Sequence, residues 1–214
     1  PMIRRRTLAL SATASLAAPL LGRPTLAQPR QKILRVVPHA EPQVFDPHQS
    51  QVNITSMHAA MVYDTLFSWD ADMVPRPQMV ETYSKSPDGL LYRFTLRPGL
   101  KFHDGSPVTA RDAVATLRRL LVRDTQNQIL AGLLVSLDVV DEKTFTLKLK
   151  EPFGYTEFML GGSNGVSGGI MREREAMTDP FKPITEIVGS GPFRFVQSEY
   201  RPGAKIVYER NPDY

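Results

Sequence analysis

Residues 81–122 read ETYSKSPDGLLYRFTLRPGLKFHDGSPVTARDAVATLRRLLV. Within this stretch Tyr92, Phe94 and Leu96 alternate with Arg93, Thr95 and Arg97, the period of a half-buried strand closed by Pro98-Gly99. In Lys101-Phe102-His103-Asp104-Gly105-Ser106-Pro107 the aspartate caps its own backbone and the glycine accepts positive φ, so a tight turn is expected. Thr109 then stands three residues before Asp112, an N-cap signature, and a helix is expected to run to about Val122. A strand, a turn and an amphipathic helix in succession point to a mixed α+β or α/β fold with short elements.

Working outward, the same signals recur. Ile33–Val37 reads as a buried-type strand ended by Pro38. Ile54, Met57, Met61 and Thr65, with Val62 and Leu66 beside them, predict a helix over 53–67. Val135–Val140 and Thr144–Leu149 flank Asp141-Glu142-Lys143 as a hairpin, with Phe145, Leu147 and Leu149 on one face. A last hairpin is expected between Phe193–Gln197 and Lys205–Glu209, across Arg201-Pro202-Gly203. Gly161–Gly169 is a loop rich in Gly, Ser and Asn. No internal repeat is present.

The 214 residues carry 26 Lys+Arg against 22 Asp+Glu, but the excess is local. Residues 1–27 hold Arg4, Arg5, Arg6 and Arg23 and no acid, so residues 28–214 are balanced. A balanced chain exerts no overall pull on nucleic acid or anionic lipid. Arg4-Arg5-Arg6, an Ala/Leu-rich run to Leu21 and small residues in Thr25-Leu26-Ala27 together read as an export signal over 1–27, of twin-arginine type or, as the alternative, an ordinary secretory signal. Its apolar run is too short and too interrupted to span a bilayer. With no cysteine there is neither a lipid-anchoring site nor a disulfide, so a soluble periplasmic product held by core packing is expected.

Catalytic and metal signatures are missing. The four histidines, His39, His48, His58 and His103, form no metal-spaced pair. His103-Asp104 suits the turn better than a catalytic dyad, although a secreted hydrolase using the two stays open as an alternative. Gly189-Ser190-Gly191-Pro192-Phe193 lacks the spacing of a serine nucleophile elbow and reads as a loop that brings backbone close to a neighbour. The glycine loop lacks the lysine of a phosphate-binding loop, and the lone Trp69 reads as core or rim.

An ordered set of segments nevertheless resembles one family. It comprises Glu41-Pro42 with Phe45-Asp46-Pro47-His48, then Tyr63-Asp64-Thr65-Leu66-Phe67, then Pro77–Val114, then Gly189–Phe193, and last Glu209-Arg210-Asn211-Pro212-Asp213-Tyr214. In this order they are similar to the extracytoplasmic solute-binding proteins, family 5, of peptide and nickel ATP-binding-cassette (ABC) importers. The resemblance implies a type II periplasmic clamshell. Residues 28–214 would form only its first lobe with an inserted subdomain, the second lobe lying outside the sequence. It implies reversible binding without chemistry or cofactor, a small solute (by default an oligopeptide), delivery to a membrane permease–ATPase complex, and a monomer at full length. The family's contact loop maps onto Gln51, Val52 and Asn53, and a second wall falls near Ser163 and Asn164. A lone-lobe sensory or structural relative is a further alternative.

Overall fold

The computed structural model describes residues 32–162 and 167–214. The proposed leader and the tip of the glycine loop, including Ser163 and Asn164, lie outside these. The described residues up to Val37 and those from Pro38 to Tyr214 form separate units.

Two local hairpins build the main sheet. β3 (Val80–Lys85) and β4 (Leu91–Leu96) pair antiparallel with Tyr83 opposite Phe94. The turn between them closes through the Gly89 N–H to the Ser86 carbonyl at 2.8 Å, with Gly89 at φ +72° where a Cβ would be strained. β5 (Leu134–Val139) and β6 (Thr144–Leu149) form the second hairpin, where the Asp141 carboxylate accepts the N–H groups of Lys143 and Thr144 at 2.9 and 2.8 Å. The hairpins join through β4 and β6, with Phe94 opposite Phe145, giving the order β3-β4-β6-β5.

The expected alternation holds. Tyr92, Phe94, Leu96, Phe145, Leu147 and Leu149 are all buried and share one core cluster. Across that face lies α2 (Ala110–Arg123), whose Ala110, Ala113, Val114, Leu117, Leu120 and Leu121 recur at helical spacing in the same cluster. Each large side chain removed from water here contributes about 1.5–3 kcal/mol. The start of α2 is fixed as expected: the Asp112 carboxylate accepts the Thr109 N–H at 2.8 Å and its hydroxyl at 2.7 Å.

Around this sheet the chain adds short pieces. A two-stranded ribbon pairs β1 (Phe67–Trp69) with β2 (Pro75–Pro77). Three short helices are α3 (Asn127–Leu133), α4 (Thr156–Met159) and α5 (Glu173–Ala176). The final hairpin forms as expected, though shorter: β7 (Phe193–Phe195) pairs with β8 (Tyr208–Arg210).

Two expectations are corrected. Helix α1 covers Asn53–Val62 and does not reach residue 67. The Gly189–Gly191 loop crosses its end, and the Gly191 N–H takes the Val62 carbonyl at 2.9 Å. A Cβ on Gly189 would stand 1.9 Å from the Val62 oxygen, so this approach requires glycine, as its sequence suggested. Residues 33–37 form no strand, and Ile33, Leu34, Val36 and Val37 are exposed. Their β-branched composition favours an extended chain, but a strand also needs a partner's backbone, which the described residues do not supply.

Candidate functional site

The sequence-predicted contact residues Gln51, Val52 and Asn53 follow a turn organised by Asp46. One carboxylate oxygen of Asp46 accepts the N–H groups of His48 and Gln49 at 2.9 and 3.2 Å, and its carbonyl accepts Ser50 N–H at 3.2 Å. The chain leaves this turn with Gln51, Val52 and Asn53 exposed at the start of α1, where Val52 occupies the N-cap position without a side-chain cap. The Gln51 and Asn53 side chains thus stand exposed beside the apolar Val52.

The second predicted wall is described only at its base. There Gly162 adopts φ +81°, and a Cβ on it would meet the Gly168 nitrogen at 2.2 Å, so the two ends of the loop pass in direct contact. His48 connects this base to the first segment. Its ring is buried, with Gly169 backbone beside it but neither ring nitrogen in a hydrogen bond of normal geometry. Burial holds its pKa down to about 4, with Arg119 reinforcing the shift and Asp46 and Asp124 opposing it, so the ring is neutral at pH 7.

His103 and Asp104 turn to different partners. The His103 Nε2–H donates to the Gly191 carbonyl at 2.9 Å, and the His103 N–H donates to the Gly189 carbonyl at 2.8 Å. The Asp104 carboxylate instead meets Arg172 at 2.6 Å. Partial burial opposes its ionisation, but hydrogen bonds from Ser106 and Arg172 hold its pKa down to about 2. The turn is a docking element for the Gly189–Gly191 loop.

Sequence reasoning missed three polar clusters, each of which draws in at least one partner distant in the chain. The first is the buried ion pair of Asp46 and Arg119 at 2.7 Å. The second centres on Arg172, whose guanidinium also contacts Glu175 and Glu186, each at 2.8 Å. The third surrounds buried His58, whose Nδ1 shares a 2.8 Å hydrogen bond with the Tyr208 hydroxyl, and whose ring meets Phe45 edge-on at 4.9 Å. No periodic signal marks any of the three. A groove of about 910 Å³ runs between α2, the β5–β6 turn and α5, but none of the predicted contact residues line it. Arg119 is among the residues that line it, and its Nε is buried without a hydrogen-bond partner. Among the described residues, no group of three or more His, Cys, Asp or Glu is arranged to hold a metal ion, and no helix is long and apolar enough to cross a membrane.

Residues 74–214 match the family described as bacterial extracellular solute-binding proteins, family 5 Middle, and the chain belongs to that family. A probable peptide ABC transporter periplasmic-binding protein of Sinorhizobium fredii is 40% identical over 205 residues, covering 96% of this chain and 38% of the relative. Among solved structures, the oligopeptide-binding protein AppA of Bacillus subtilis in complex with a nonapeptide is 26% identical with a TM-score of 0.67, covering 81% of this chain and 35% of that one. The binding protein AgaA of A. tumefaciens R10, in complex with agropinic acid, is 27% identical with a TM-score of 0.69, again covering 81% and 35%. The mixed α/β architecture is that of the family, and the chain spans little more than a third of these relatives.

Proposed function

We propose that this chain is the first-lobe part of a periplasmic substrate-binding component of an ABC importer, taking up a short peptide and handing it to a membrane permease–ATPase complex. The observation that carries the reading is the 40% identity, over nearly the whole chain, to a probable peptide transporter binding protein. Residues 1–27 would direct export, and residues 28–214 would supply one wall of the cleft. Gln51, Val52 and Asn53 would touch ligand from that wall, with Ser163 and Asn164 from the glycine loop. The protein performs no chemistry in this reading: closure around the solute is the functional event, and a full-length monomer suffices for it. Main-chain polar groups of a peptide suit exposed backbone and amide side chains, while water in the cleft accommodates varied side chains.

Full-length protein isolated from the periplasm and weighed by native mass spectrometry should carry masses of short peptides. After stripping, calorimetric titration with trialanine and tetraalanine should restore binding. A preparation that retains only a non-peptide solute and ignores both peptides overturns the assignment of ligand class.

A further inference from the structure

The contact segment is held by side chains that lie far from it in sequence. The Arg119 side chain is 1% exposed and that of Asp46 is fully buried. From the last turns of α2, Arg119 donates to Asp46 and to the carbonyls of Thr178, Asp179 and Lys182 at 2.9, 3.2 and 2.9 Å. The Asp46 oxygen that meets Arg119 also accepts the Ile184 N–H at 3.2 Å, while its other oxygen holds the turn that leads into Gln51. One helical turn further on, Arg123 donates to the Gln49 carbonyl at 3.4 Å and lies over the Phe181 ring at 4.9 Å. The Gln49 side-chain amide in turn donates to the Phe181 carbonyl at 3.1 Å.

Such an arrangement is a poor means of gaining stability. Removing two ions from water carries a desolvation cost that their attraction does little more than offset, and an apolar pair of similar volume often serves a core equally well. An apolar pair, however, sets no backbone position. Here the fork of the guanidinium and both carboxylate oxygens specify where residues 46–50 and 178–184 stand relative to α2. We propose that Asp46 and Arg119 are positioning residues for ligand binding: they fix the segment Gln51–Asn53 against the sheet subdomain. This rests on the reading of that segment as a ligand contact.

The test uses full-length protein carrying Arg119→Lys, which keeps the charge and most of the volume but loses the fork, and Asp46→Asn as the second variant. Two quantities are measured well below each thermal midpoint: trialanine affinity, and hydrogen exchange at individual amides. The expected result is an affinity loss of about tenfold or more. Exchange should quicken at residues 48–53 and at Lys182 and Ile184, with the amides of β4 and β6 unchanged. A purely structural role would lower the midpoint and accelerate exchange throughout while leaving affinity as it was, and that outcome overturns the proposal. Unchanged protection at 48–53 overturns it too. If the wild-type protein itself ignores trialanine and tetraalanine and holds only another solute, the failure lies with the peptide reading, and exchange at 48–53 alone decides the positioning role.

Discussion

The Tyr214 hydroxyl donates to the Asp64 carboxylate at 3.2 Å, on the same oxygen that receives the Gln78 side-chain amide at 2.8 Å. Burial pushes the Asp64 pKa up to about 6, and the Tyr214 hydrogen bond offsets only part of that shift. His58 moves the other way, since burial lowers its pKa to about 3. Between pH 6.5 and 4 the unfolded chain therefore takes a proton at His58 that the folded chain refuses, and stability falls as the solution is acidified. Over roughly pH 6 to 4 the folded chain takes a proton at Asp64 that the unfolded chain does not, and stability rises. Each group contributes a slope of about 1.4 kcal/mol per pH unit within its window. Asp64→Asn should thus steepen the acid loss of stability, and His58→Phe should flatten it, in urea denaturation from pH 7 to 4. Parallel profiles in all three proteins would contradict the assignment.

Glycine is required at one crossing and dispensable on steric grounds at another. Gly189→Ala places a Cβ on the Val62 carbonyl and should cost about 3 kcal/mol or more. Gly99→Ala has open space around it and meets only the strain of φ +78°, about 1–2 kcal/mol. Thermal midpoints rank the two variants, and equal losses would show that the crossing yields easily.

Arg172 gathers three carboxylates of different exposure. Replacing it with Met strands Glu175, whose side chain is 10% exposed, with only Arg174 as a cationic partner. A loss of about 3 kcal/mol in denaturant unfolding is expected. Asp104→Asn touches a side chain that is 39% exposed and leaves the other two acids in place, so its cost should stay near 1 kcal/mol or below.

Phe94 and Phe145 stack with centroids 5.1 Å apart where the two hairpins meet, both fully buried. Phe145→Ala should cost about 3–5 kcal/mol and lower the urea midpoint, whereas Tyr83→Ala at the exposed edge of β3 should cost far less.

The parts of this fold written in local patterns were legible. Strand alternation at Tyr92–Leu96, the Asp141 turn and the Thr109–Asp112 start of α2 each involve residues a few positions apart, and each formed. Where the outcome depended on distant chain, local patterns failed. The helix from Asn53 carries apolar spacing past Val62, but a loop more than 120 residues later takes its terminal carbonyl. Ile33–Val37 has strand composition without a partner among the described residues. The proposed contact trio Gln51–Asn53 came from the ordered family resemblance alone, and the structure places it exposed at the start of α1. The pairing of Asp46 with Arg119 was not legible, because 73 residues separate the two and the local turn around Asp46 does not name its distant partner.

The strand order β3-β4-β6-β5 puts the only non-local pairing at the centre of the sheet, where Leu91 lies opposite Lys148. Each hairpin closes a short loop and can form early, whereas joining them requires the chain through α2 and α3 to be gathered first. Pairing of the two ribbons along the β4–β6 seam is therefore the step expected to limit the folding rate of this sheet, to be checked by φ-values from folding and unfolding kinetics. Substitutions along that seam will slow folding, while those in the outer strands will chiefly hasten unfolding.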